Sequence, residues 1–110
     1  MFEYIINMPF PLKVKGIDVE SSFKEVARYH FDLGLQIGDQ VVLSNIHFGG
    51  WEDKPFSFRT VVVRKEKTIQ PQREGDDIFI IYIYVELADK EELPRMRDIL
   101  IRLNPGKYEE

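Results

Sequence analysis

Apolar and polar residues alternate along the first fourteen positions. Phe2, Tyr4, Ile6, Met8, Phe10, Leu12 and Val14 share one parity, while Glu3, Asn7, Pro9, Pro11, Lys13 and Lys15 fill most of the other. A period of two sends successive side chains to opposite faces, so this segment predicts a half-buried strand. Pro9 and Pro11 have no N–H to give to a ladder, which points to an edge strand, or to two short strands joined by an extended step. After Gly16 the period changes. Ser22-Phe23-Lys24-Glu25 has the form of a capping box, and Phe23, Val26, Ala27 and His30 or Phe31 recur at helical spacing. A helix over about 22–33 is predicted, with Gly34 placed to end it in a left-handed conformation. Tyr29, Phe31, Leu33 and Leu35 also alternate, and that pattern competes as a strand.

Three further strands follow. Gly38-Asp39 turns the chain into Val41-Val42-Leu43, a β-branched strand running to about Ile46. After a loop over 47–55, a long strand is predicted from Phe56 to about Ile69. Pro71 and Gly75 mark the next turn. Ile78 to Leu87 is apolar on both parities, with Phe79, Ile81, Ile83, Val85 and Leu87 on one and Ile80, Tyr82 and Tyr84 on the other. Such a strand is covered on both faces and belongs at the centre of a sheet. Leu93, Met96, Leu100 and Leu103 then form a helical stripe over about 91–103, with Asp89 as cap, Pro94 in the first turn and Asn104-Pro105-Gly106 as the stop. The last four residues are expected to fray.

This order predicts one α+β domain over residues 1–110. It comprises a mainly antiparallel sheet of four to five strands and two helices, at about 22–33 and 91–103. The sheet either stays open or closes into a small, partly open β-barrel. A Gly-Asp turn, a basic strand and then an apolar strand, over residues 37 to 87, resemble the small SH3-like and PUA-like barrels, without a diagnostic motif. That resemblance implies a barrel-like fold and no particular activity.

Composition narrows the function classes. The 110 residues contain no cysteine, which excludes disulfides, thiolate metal sites and a cysteine nucleophile. An acid at position 3 and the absence of a basic stretch before an apolar run are unlike a secretory signal, so a cytoplasmic protein with no membrane partner is expected. Net charge is −4 but unevenly spread: residues 54–73 carry six bases and one acid. Such asymmetry bears on partners and association.

Candidate chemistry is sparse. His30 and His47, with Asp32, Asp39, Glu52 and Asp53 near in sequence, are the only imidazole and carboxylate set that offers ligands to a divalent metal, at a spacing that matches no motif. No serine sits in a nucleophile elbow, and Gly49-Gly50 leads into a strand where a phosphate loop needs a helix. No cofactor is implied. The loop holding His47, Phe48 and Trp51 is the first candidate contact surface, because paired glycines and flanking charges can project the indole; alternatively the indole folds back onto the core. The second is basic: Arg59, Arg64, Lys65, Lys67 and Arg73, with Tyr82 and Tyr84 on the neighbouring strand, have the makings of a cationic face with stacking platforms for single-stranded nucleic acid. Glu74, Asp76 and Asp77 across the turn instead offer to pair with Lys65 and Lys67. Three readings follow: a non-catalytic interaction domain that binds a protein partner or its own copy through the aromatic loop, a nucleic-acid-binding domain using the basic strand 59–73, and a small metal-dependent enzyme, for which the usual nucleophiles and bases are absent or scattered.

Overall fold

The computed structural model describes residues 1–9, 23–46, 56–103, 105, 106 and 108. Within them the order is β1 (Phe2–Pro9), β2 (Phe23–Tyr29), β3 (Gln40–Ile46), β4 (Phe56–Gln70), β5 (Ile78–Leu87) and α1 (Glu92–Leu103). The strands form one mixed sheet in the order β2-β1-β5-β4-β3, curled into a half-barrel. β3, β4 and β5 are an antiparallel meander, whereas β1 joins β5 in parallel, from Phe2 beside Phe79 to Asn7 beside Tyr84. β5 is thus the middle strand, as its two apolar faces require. Ile80 on one face and Ile81, Ile83 and Val85 on the other are all buried.

Three sequence expectations are corrected. Residues 23–29 of the expected helix form strand β2, so the described residues contain one helix, not two. The register explains the misleading spacing: Ile6 faces Ala27 but Asn7 faces Glu25, so Val26 is an extra residue in β2. This β-bulge breaks the period of two and leaves Val26 and Ala27 both half-buried, which imitates a helical stripe. Glu25, the expected cap partner, instead bonds the Arg28 guanidinium, which also reaches Glu3 at 3.1 Å. Secondly, β1 is not an edge strand. It lies between β2 and β5, and Pro9 is tolerated because it is the last residue of the strand. Thirdly, Tyr108 is not frayed; it is buried against the core, past a turn in which Gly106 takes φ +80°.

The core fills the inner face of the half-barrel. Tyr4, Ile6 and Met8 of β1, Ile81, Ile83 and Val85 of β5, and Phe58 and Val62 of β4 meet Met96, Ile99 and Leu100 of α1. The helix starts as expected: the Asp89 carboxylate accepts from the Glu91 N–H at 2.9 Å, and Pro94 sits in the first turn. Leu100 and Ile83 are fully buried. Removing one such side chain from water contributes about 1.5–3 kcal/mol.

A second bulge divides β4. Val62 faces Val85, but Arg64 faces Tyr84, so Val63 is extra and the parity switches. Phe58, Thr60 and Val62 therefore share the inner face with Lys65, Lys67 and Ile69, which stand opposite Ile83, Ile81 and Phe79. Arg64, Glu66 and Thr68 lie on the outer face with Tyr84, Tyr82 and Ile80.

β2 and β3 lie at opposite edges, so residues 30–39 must cross the sheet. They do so over its inner face as a strap. The Leu35 N–H donates to the Tyr4 hydroxyl at 3.2 Å, and Lys65 Nζ donates to the Leu35 carbonyl at 3.2 Å. Asp32 accepts from the Gly34 N–H at 2.7 Å, and Asp39 accepts from the Gln36 N–H at 2.8 Å, so each end of the strap is a side-chain-closed turn.

Candidate binding surface

The expected site residues do not converge. His47, Phe48 and Trp51 lie outside the described residues. Arg59 and Arg64 are on the outer face, Lys65 and Lys67 on the inner one, and Arg73 in the exposed β4–β5 turn. The expected pairing of Lys65 and Lys67 with Glu74, Asp76 or Asp77 is not formed among the described residues, because Lys65 is turned inward to the strap.

On the outer face the structure does bring Tyr82, Tyr84 and Arg64 together. The Arg64 guanidinium lies 4.0 Å from the Tyr84 ring centroid and 3.1 Å from the Glu66 carboxylate. Phe23 of β2 meets the Tyr84 ring edge-on at 5.0 Å, and Tyr82 stacks beside it at 6.4 Å. The most favourable cation–π position on Tyr84 is therefore already taken by a residue of the chain, and the arginine is already paired with an acid.

A cleft of about 790 Å³ opens between β3, the start of β4 and the approach to α1, with Arg59 on one wall and Asp89 and Glu92 on the other. Its hydroxyls are those of Ser57 and Thr60, and Thr60 donates to the Val41 carbonyl at 2.8 Å. Among the described lining residues neither has a histidine or lysine beside it. His30 is exposed with Nδ1 3.4 Å from the Phe2 carbonyl, and among the described residues no three His, Asp or Glu side chains cluster to hold a metal. No helix among them is long and apolar enough to cross a membrane.

The most distinctive surface is one that the sequence did not single out. The helix covers the inner face on one side of the strap only. On the other side the apolar row continues with Phe2, Phe79 and Ile69 side by side on β1, β5 and β4; Phe2 is half-buried against the core, whereas Phe79 is 45% and Ile69 62% exposed. Phe31 and Leu33 of the strap are exposed as well, by 60% and 40%, and the Phe31 ring sits 5.5 Å from that of Tyr29. The alternation of Tyr29, Phe31, Leu33 and Leu35 was the available signal, but only Leu35 turns into the core. Asp32 follows Phe31 in the strap, and Lys67 stands on the inner face of β4 opposite Ile81, two residues before Ile69.

The Tyr4 hydroxyl beneath the strap is pushed above the usual tyrosine value, first by burial and then by the nearby carboxylates of Asp32 and Asp39. The Leu35 N–H bond opposes this only in part.

Compared with known families, with curated proteins and with solved structures, the chain has no match.

Proposed function

We propose that the domain is a non-catalytic interaction module that docks a second copy of itself through the shelf formed by Phe2, Phe79, Ile69, Phe31 and Leu33. The observation that carries the reading is the exposure of Phe79 and Ile69, side by side and next to Phe2, at one end of an otherwise well-filled inner face. Contiguous exposed apolar groups rimmed by charge are the usual mark of a protein contact. A face-to-face pair with the rows reversed sets Asp32 of each copy near Lys67 of the other, which adds charge complementarity to apolar burial. The geometry favours this over nucleic-acid binding, since the bases are divided between two faces and Arg64 already occupies the Tyr84 ring.

Sedimentation velocity from micromolar to millimolar protein tests the reading. A dimer fraction that grows with concentration is expected, lost in the Phe31→Ser, Phe79→Ser double variant while its circular dichroism stays that of the parent. A chain that remains monomeric throughout, with the ring resonances of Phe31 and Phe79 unmoved, overturns it.

A further inference from the structure

β4 is much longer than β3, so among the described residues part of its edge has no partner strand. β3 pairs with β4 only as far as Gln40 beside Val61, and two backbone bonds close that contact, Gly38 N–H to the Val62 carbonyl at 2.8 Å and Val62 N–H to the Asp39 carbonyl at 2.9 Å. Beyond Val62, no backbone hydrogen bond among the described residues reaches β4 from that side. Yet β4 continues as regular strand to Gln70, held in register by β5 from Arg64 beside Tyr84 to Gln70 beside Ile78. One residue in two along this stretch presents its N–H and C=O outward on a rigid support. That is a template for another strand.

The side chains on this edge select the occupant. Arg64, Lys65 and Lys67 are opposed within the stretch only by Glu66. A second copy is disfavoured, because a two-fold antiparallel pair places the residue at its centre opposite its symmetry mate. Centred on Arg64, Lys65, Glu66 or Lys67, it sets like charges directly across from one another, which destabilises a sheet. We infer that the β4 edge from Arg64 to Gln70 binds an extended acidic segment of a partner protein as a sixth strand, its inner-face carboxylates lying against Lys67. Main-chain bonds supply the affinity and the bases the choice of partner. The two sites meet at Lys67 and Ile69, but this one uses the outward backbone of β4 and the shelf its apolar side chains.

The test uses a blocked peptide of alternating valine and glutamate, its valine–lysine counterpart, and a single-stranded oligothymidine, each titrated into the isotopically labelled protein. With the glutamate peptide, amide shifts confined to β4 from Arg64 to Gln70 are expected, together with roughly tenfold slower exchange of the outward amides. Binding should weaken as salt rises, and Lys67→Glu should lose most of it while leaving the fold unchanged. Equal binding of the lysine peptide overturns the inference, as do shifts that map to Phe31 and Phe79, or no shift at millimolar peptide. Tighter binding of the oligonucleotide to the same residues overturns it in favour of phosphate recognition. Sedimentation reads the shelf and β4 amides read the edge, so either proposal can fail alone.

Discussion

Tyr4 and Leu35, thirty-one residues apart, are joined where the strap crosses the sheet, the Leu35 N–H donating to the Tyr4 hydroxyl at 3.2 Å. Tyr4 is fully buried, so this bond satisfies a phenol that has left water and fixes the strap above the core. Tyr4→Phe removes the acceptor with little change of shape. The variant should lose about 1–2 kcal/mol of stability by urea unfolding, and the Leu35 amide should exchange faster while the Ile83 amide keeps its parent protection relative to global unfolding.

The same hydroxyl predicts a dependence on alkaline pH. Its value in the fold lies above the ordinary tyrosine value of about 10, so above that pH the unfolded chain releases a proton that the folded chain retains. Stability from this group is complete below about pH 10 and falls as pH rises through the folded value. The difference between parent and Tyr4→Phe in urea midpoint should therefore narrow above pH 10. A difference that stays constant would show that the tyrosine titrates alike in both states.

Burial separates two isoleucines on one face. Ile83 is fully buried between β1 and β4, whereas Ile69 is 62% exposed on the shelf. Ile83→Ala should cost about 2–5 kcal/mol, and Ile69→Ala no more than about 0.5 kcal/mol in the monomer, both read from denaturant unfolding. A large loss at Ile69 would mean that the shelf is covered in solution.

Arg64 and Tyr84 give a coupling measurable by a double-mutant cycle. With the guanidinium 4.0 Å from the ring centroid at a half-exposed site, an interaction of about 0.5–1 kcal/mol is expected. Glu66 shares the arginine, so the cycle should be repeated in Glu66→Gln, where the coupling persists if the ring and not the carboxylate holds the guanidinium.

Much of this architecture was legible in the sequence, and the failures have a common cause. The β3, β4 and β5 strands and α1 follow from their runs of apolar and β-branched residues between turn signals, and the two-sided apolar pattern of 78–87 placed β5 at the centre. Wherever an extra residue enters a strand, the parity argument fails. Val26 made β2 look helical, and Val63 moved Lys65 and Lys67 to the face opposite the one their spacing from Arg59 suggests. The parallel pairing of β1 with β5 was hidden because it is a contact between distant segments with no local signature. The shelf was hidden for a different reason: hydrophobicity marks residues suited to burial but does not say where the covering helix stops. The candidate loop around Trp51 lies outside the described residues, and the basic strand proved to be divided between two faces and an edge.

The parallel seam between β1 and β5 also sets a timetable. During synthesis the β1–β2 pair emerges first, yet the inner-face side chains Tyr4, Ile6 and Met8 have nothing to pack against until β5 and α1 exist. The meander of β3, β4 and β5 closes through near neighbours, whereas the seam closes only once nearly the whole chain is available, an arrangement that makes for slow, late-committing folding. Until then the nascent protein carries an apolar strand in search of its mate, and that interval is when a chaperone, or a second nascent chain, has its opportunity.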